Sequence, residues 1–93
     1  MAINLESNIA NSWDNSAENP ETFIYDSSSG GVNRCLFVAV ITEAEIPSSV
    51  TYNSVLMVKE AEMTSAEGFR PETLQLFSLV DPPTGSNTVS VNN

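Results

Sequence analysis

The chain has no histidine, one cysteine and only three basic residues in 93. Without histidine it lacks the imidazole that most often serves as a general base or as a zinc ligand at neutral pH. A lone Cys35 allows neither an internal disulfide nor a cysteine metal cluster. The sequence therefore predicts no catalytic residue, no metal ligand and no cofactor, and we expect a protein that is not an enzyme.

Positive charge is scarce as well. Three Lys/Arg stand against twelve Asp/Glu, for a net charge of −9. Nucleic acids require clustered Lys and Arg, and anionic membranes repel an acidic surface, so neither is an expected partner. No stretch approaches the roughly 20 apolar residues of a membrane span. The residues after Met1 lack the basic leader and apolar core of a secretory signal, so secretion is not expected.

Uncharged polar residues are abundant, because Asn, Ser and Thr together make up 30 of the 93 residues. These residues favour turns and exposed strand positions over helix interiors. The apolar residues fall in short runs separated by Gly, Pro, Asn and Ser, which is typical of strands and turns. We predict one all-β domain over 1–93, a small antiparallel β-sandwich of about seven short strands, with jelly-roll and Ig-like arrangements both open.

The N-terminal third is the least regular part. Ile3 and Leu5 alternate with polar neighbours and predict a weak edge strand. Residues 8–21 are polar apart from Ile9 and Trp13, and we interpret them as a loop or an N-terminal polar arm anchored by Trp13. Residues 23–25 predict a short aromatic strand that ends in a flexible turn.

The run from Cys35 to Ile41 contains seven consecutive apolar residues. Such a run is typical of a strand covered on both faces, which predicts a place at the centre of a sheet. A helix is the alternative, and the preceding Gly-Gly and the following Pro47 disfavour it.

Two further strands, at 50–52 and 55–58, flank Asn53 and Ser54, which predict a two-residue hairpin loop. The stretch 60–72 mixes charge, Ala, Gly and Pro, and predicts either a loop or one helical turn. Strand patterns resume at 73–80 and 87–91.

Four short motifs carry a resemblance. They are Asn-Arg at 33–34, Val-Thr-Tyr at 50–52, Leu-Phe-Ser-Leu at 76–79 and Pro-Pro-Thr-Gly at 82–85. Together they resemble a family of β-sandwich modules found in phage structural proteins and in secreted bacterial multidomain proteins, over about 32–91. Those modules usually have Gly-Gly in place of Asn53-Ser54 and continue for several strands beyond the position of Val91. The resemblance therefore implies an oligomer, unless the N-terminal strands fill the missing places.

The resemblance implies a non-enzymatic structural protein located in a virion, such as a capsid decoration or cement protein or a small tail or fibre component. Its expected partners are other virion proteins, for example a major capsid protein, and further copies of itself. A carbohydrate-binding or adhesive module is the alternative. We expect Trp13, Arg34 and Arg70 at an interface, because Trp13 lies in a polar segment and each arginine could meet a carboxylate of a partner.

Three other sets of residues have a structural interpretation beside a chemical one. The carboxylates Glu43 and Glu45, and likewise Glu60 and Glu62, could form a glycosidase pair or a calcium site, but are interpreted as charges that keep strand ends soluble. Cys35 is interpreted as a small buried residue, since no imidazole is present to activate it. A sugar-stacking platform could be formed by four aromatic residues, of which the two tyrosines are interpreted as core or cross-strand residues: Trp13, Tyr25, Tyr52 and Phe69.

Overall fold

The computed structural model describes residues 20–27, 33–43, 46–65 and 72–92, and this part of the chain contains strands and no helix. The seven strands are β1 (Glu21–Asp26), β2 (Cys35–Glu43), β3 (Ser49–Tyr52), β4 (Val55–Leu56), β5 (Val58–Ser65), β6 (Glu72–Val80) and β7 (Ser86–Asn92).

The strands form two antiparallel sheets, one with the order β1-β7-β3-β4 and the other with the order β2-β6-β5. Strands that are consecutive in sequence often lie in different sheets. Most pairs of hydrogen-bonded strands are therefore far apart in sequence, such as β1 with β7 and β2 with β6. The predicted all-β class and small β-sandwich are confirmed.

The core lies between the two sheets. Strand alternation sends every second side chain inward, and the buried apolar residues come from both sheets. They are Val50, Tyr52 and Val89 from the first sheet, Leu36, Val38 and Phe77 from the second, and Met57, which lies between β4 and β5.

The hairpin loop between β3 and β4 is confirmed. Asn53 and Ser54 have φ angles of 51° and 63°, and Tyr52 pairs directly with Val55. Two consecutive left-handed residues match the twist of the flanking strands, which is why a two-residue loop suffices here.

The central position predicted for residues 35–41 is wrong. Within the described residues β2 is an edge strand that pairs only with β6, and β6 is the central strand of that sheet. The side chains of β2 alternate between buried and exposed: Leu36 and Val38 face the core, whereas Phe37 is 60% exposed and Ile41 is 70% exposed. The inward side chains of β2 are apolar because they belong to the core. Its outward side chains are apolar as well, although no other strand of the described residues covers them.

The loop or helical turn predicted for 60–72 is also wrong over 60–65, which belong to β5. The register between β5 and β6 shifts between Lys59 and Ala61, so that Glu60 occupies a β-bulge. Charged residues and a bulge are common at an exposed sheet edge, because they discourage pairing with a further strand. The predicted strand at Ile3 and Leu5, and the arm over 8–21 up to Asn19, lie outside the described residues.

Candidate functional site

The outer face of the β2-β6-β5 sheet is apolar and exposed. Cross-strand pairing puts Phe37 beside Ser78, Ala39 beside Leu76, and Ile41 beside Leu74, and β5 continues these rows on the other side of β6. We call this surface the apolar face and define it by the outward residues of the three strands: Cys35, Phe37, Ala39 and Ile41 of β2, Leu74, Leu76, Ser78 and Val80 of β6, and Val58, Ala61 and Met63 of β5.

Exposure on this face is high for residues of this type. Ile41 and Met63 are each 70% exposed and Val80 is 76% exposed. Small residues lie at its middle, where Ala39 and Ala61 flank Leu76 and contribute to a shallow hollow of about 200 Å³. Contiguous exposed apolar surface of this kind usually marks a place where another molecule binds.

The outer face of the other sheet provides a contrast within the same molecule. Thr22 of β1, Ser90 of β7, Thr51 of β3 and Leu56 of β4 form one cross-strand row, and Thr88 stands beside Ile24 in the next. Hydroxyl groups are the most frequent side-chain groups on this second outer face, and Leu56 and Ile24 are its exposed apolar residues. The outer face of the second sheet is therefore the more apolar of the two.

Acidic side chains bound the apolar face at one end. Glu43 of β2 and Glu72 of β6 are direct cross-strand partners there. Asp81 follows Val80 at the opposite end, in a turn with a φ of 53°. Between these ends, the outward positions that pair across the three strands carry no charged side chain among the described residues, and the exposed Glu60 occupies the bulge between Val58 and Ala61 at the β5 edge.

An ion pair lies on β5 at positions that pair with the inward residues Phe77 and Gln75 of β6. Lys59 Nζ is 3.1 Å from Glu62 Oε1, and the buried Gln75 donates to the same oxygen at 2.9 Å. These hydrogen bonds, from Lys59 first and Gln75 second, hold the pKa of the Glu62 carboxyl below its ordinary value of 4.5. Gln75 Nε2 also donates to the carbonyl oxygen of Pro47 at 3.1 Å, so that Gln75 connects the ion pair to the loop before β3.

Arg34 holds two loops together at the start of β2. Its guanidinium donates from Nη1 to the carbonyl oxygen of Pro82 at 2.7 Å and from Nη2 to that of Ser27 at 2.8 Å. The Ser27 hydroxyl in turn donates to the Pro83 carbonyl oxygen at 2.6 Å. The partners of Arg34 in the described residues are thus carbonyl groups, where we had expected carboxylates. These contacts give Arg34 of the Asn-Arg motif, and both prolines of the Pro-Pro motif, a structural role.

The remaining sequence-based candidates fall into three groups. Trp13, Arg70, Phe69 and Glu45 lie outside the described residues, and their predicted roles stay predictions. Tyr52 is fully buried, as a core residue should be. Cys35 is exposed, so its interpretation as a buried residue is wrong. It begins the outward row of an edge strand, where its own sandwich does not cover it.

The described residues hold no group of three or more carboxylate or cysteine side chains placed to bind a metal ion. Nor do they form a helix with the length and apolar character needed to cross a membrane.

Sequence reasoning missed the apolar face itself. The signal was present, because the outward positions of β2 from 35 to 41 are all apolar and those of β6 from 74 to 80 are apolar except for Ser78. It could not be interpreted without the strand pairing, which brings the two sets into one surface. Comparison of the chain with protein-family models, curated proteins and solved structures found no match.

Proposed function

We propose that the chain is a non-enzymatic structural protein of a virus particle, such as a capsid decoration protein or a small tail or fibre component, which acts by binding other proteins. The apolar face carries this proposal. It supplies an exposed surface whose strand-paired outward positions carry no charge between its two ends, on a sheet whose shape is fixed by the core behind it. The resemblance to phage structural modules suggests that the proteins it binds belong to a virus particle.

A flat apolar face suits assembly better than recognition of a small molecule. Specific small-molecule sites are concave and place several polar groups around the ligand. The hollow beside Leu76 is shallow, and five of the six residues that line it are apolar, with Glu62 the exception. Weak contacts repeated over many copies of a particle would add up to stable attachment.

The carbohydrate-binding alternative has less support. Sugar recognition needs exposed aromatic rings with hydrogen-bonding groups beside them, and Tyr52 is buried in the core. Phe37 is exposed, but its neighbours across the strands are Ser78 and, one row away, apolar side chains.

Particle composition provides the test. Virus particles from cultures of the source organism are purified on a density gradient and analysed by mass spectrometry. We expect the chain in the particle fraction at a fixed ratio to the capsid or tail proteins. Detection of the chain in the soluble fraction alone, with none in particles, would contradict the proposal.

A binding experiment then tests whether the apolar face makes the contact with the particle. Recombinant chain is added back to particles that have been stripped of it, and the bound fraction is measured by sedimentation. Ile41→Glu should reduce rebinding, whereas Ile24→Glu should not. Ile24 is the matched control because it is 61% exposed on the hydroxyl-rich outer face of the other sheet.

A further inference from the structure

We infer that the free edge of β2, the side of that strand turned away from β6, binds an extended segment of a partner protein, which joins the sheet as a fourth strand. This inference rests on the proposed function, because it names the kind of segment by which the partner is bound. The binding groups are those of the β2 backbone, whereas the apolar face consists of side chains. Three features of β2 favour strand addition: the direction of its backbone groups, the absence of protection at its edge, and its apolar composition.

The free edge presents the backbone groups of the outward residues of β2. The N–H of Asp81 donates to the carbonyl oxygen of Arg34 at 2.8 Å, and these two residues continue the register that pairs Cys35 with Val80. Hydrogen-bonded pairs alternate with non-bonded pairs in an antiparallel ladder, so the next bonded residue of β2 is Leu36. Even-numbered residues of β2 therefore bond to β6. The odd-numbered residues direct their N–H and C=O groups to the free edge: Cys35, Phe37, Ala39 and Ile41.

The other edge strands carry features that discourage pairing, and β2 does not. β5 has a bulge at Glu60 and charges at Lys59 and Glu62. β4 has two residues, and β1 begins and ends with an acid. β2 pairs with β6 over 9 residues without a register shift, and from 35 to 42 it contains neither a charge nor a proline. Soluble proteins normally protect their edges, so a long, regular and apolar edge among the described residues is typical of a strand that pairs with a partner.

The outward residues of β2 specify one side of the partner segment. In an antiparallel addition, the residues opposite Phe37, Ala39 and Ile41 lie on the outer side of the sheet, where apolar side chains would extend the apolar face. The net charge of −9 repels acidic segments, further copies of this chain included. We therefore expect a segment of another protein that is apolar at every second residue and is flanked by neutral or basic residues.

The alternate residues of the added strand would meet the margin of the core. Arg34, just before β2, contacts Ser27, just after β1, so these two edge strands lie on the same side of the sandwich. Phe23 of β1 and Val40 of β2 pack against the core but are only partly buried. A strand added beside β2 would cover this margin, and burial of apolar surface favours binding. Uncharged residues are therefore expected at the alternate positions as well.

Amide hydrogen exchange of the full chain, followed residue by residue by NMR, tests whether the edge is free. We expect slow exchange for Leu36 and Val38, whose N–H groups bond to β6, and fast exchange for Phe37 and Ala39. Equal protection of both sets in dilute protein would mean that another part of the chain already pairs with the edge. Protection of the second set that grows with protein concentration would make a second copy the partner. Either result would overturn the proposal.

The synthetic peptide Lys-Val-Thr-Val-Thr-Val-Lys, with blocked ends, then serves as the partner segment. Its valines can pair with Phe37, Ala39 and Ile41, and we expect it to slow the exchange of these three amides at up to millimolar concentration. The same peptide methylated at its valine nitrogens keeps every side chain and charge but lacks the donors that face β2, so it should have no effect. Failure of the first peptide to slow exchange, or equal slowing by both, would overturn the proposal.

Two variants separate the edge from the apolar face. Ala39→Pro removes an N–H that does not bond to β6, so the strand tolerates it, yet peptide binding should weaken about 10-fold or more. Leu74→Thr reduces the apolar face on β6 and leaves the β2 backbone intact, so binding should weaken about 2-fold at most. The reverse order of effects would place the peptide on the face. Slow exchange of Val38 checks that each variant is folded, and the two experiments on the wild type decide the matter if Ala39→Pro is not.

The two proposals fail separately. A chain that is present in particles, but whose β2 amides are protected without the peptide or are unaffected by it, would overturn strand addition and leave the virion role standing. A chain whose edge binds the peptide but which is absent from particles would do the reverse.

Discussion

The buried hydroxyl of Tyr52 donates a hydrogen bond to the backbone carbonyl oxygen of Tyr25 at 2.9 Å. Tyr52 ends β3 and Tyr25 belongs to β1, and β7 lies between these two strands in the sheet. The Tyr52 side chain therefore passes beneath β7 and reaches β1 on its other side. Asn87 of β7 lies with its Nδ2 3.5 Å from the same hydroxyl, so that one buried oxygen connects all three strands.

Tyr52→Phe should lower the free energy of unfolding by about 0.5–1.5 kcal/mol, because it removes the buried hydroxyl and its hydrogen bonds while the ring still fills its place. Urea unfolding followed by circular dichroism measures the change. Thr88→Val is the control, since it removes an exposed hydroxyl from the same sheet and should change stability by less than about 0.5 kcal/mol. Equal losses for both variants would contradict a specific role for the Tyr52 hydroxyl.

Arg34→Lys should cost about 1–3 kcal/mol of stability even though the charge is kept. A single ammonium group lacks the planar fork that reaches the Pro82 and Ser27 carbonyl oxygens together. The reciprocal control is Lys59→Arg, at an exposed ion pair where either side chain can serve, and there we expect a change within about 0.5 kcal/mol. Thermal unfolding of both variants checks the prediction, and an unaltered melting temperature for Arg34→Lys would count against it.

Ser54→Gly should stabilise the protein by about 0.4–1 kcal/mol. Ser54 has a φ of 63°, in the left-handed region that glycine adopts without a steric penalty. Ser49→Gly is the comparison, because Ser49 lies in β3, where glycine only loosens the strand. A denaturant midpoint that rises for Ser54→Gly and falls for Ser49→Gly is the expected result, and a fall in both would mean that the turn needs the serine side chain.

The lowered pKa of the Glu62 carboxyl predicts that the free energy of unfolding decreases in acid. Its pKa in the folded state lies below 4.5 because of the hydrogen bonds from Lys59 and Gln75, so the folded protein holds the ionised form more tightly than the unfolded chain does. The resulting stabilisation is present above pH 4.5 and is lost as the pH falls through the lowered pKa. Glu62→Gln should therefore be less stable than the wild type near neutral pH and approach it in acid.

Urea unfolding at a series of pH values measures this difference. Glu60→Gln, which removes the neighbouring bulge carboxylate, controls for the change in net charge. The difference in the free energy of unfolding between the wild type and Glu62→Gln should shrink from pH 7 to pH 3. A constant difference would show that ionisation of Glu62 does not contribute to the pH dependence of stability.

Cys35 gives a test that needs no substitution. Its thiol is exposed, so in dilute solution it should react with a maleimide reagent without prior unfolding. Mass spectrometry of the labelled native protein measures this reaction. A thiol that reacts only after denaturant is added would contradict the exposed position of Cys35.

Local signals were sufficient for much of the fold. The alternation in 87–91 predicted β7, and Asn53-Ser54 between two apolar runs predicted the hairpin, since both depend on neighbouring residues alone. The choice of the central strand failed because it depends on pairing. β6 is central yet buries Thr73 and Gln75, polar residues that made it look less like a core strand than β2.

The candidate site failed for a related reason. The sequence shows that the outward residues of β2 are apolar but cannot show whether another strand layer of the same chain or a separate molecule covers them. Only the exposed positions of Phe37 and Ile41 separate these cases. The interface roles of Trp13 and Arg70 stay predictions, while Arg34 has a structural role that residue type alone did not indicate.

The position of β7 between β1 and β3 has a consequence for how the protein is made. In the described residues β1 has no other strand to pair with, so its backbone hydrogen bonds must wait until residues 86–92 have left the ribosome. Until then the first sheet is incomplete and the core side chains of the second are uncovered. Such late, long-range closure slows folding and prolongs the time during which apolar segments can meet those of other chains. We expect that nascent chains arrested before β7 would be bound by chaperones, and that release of β7 would free them.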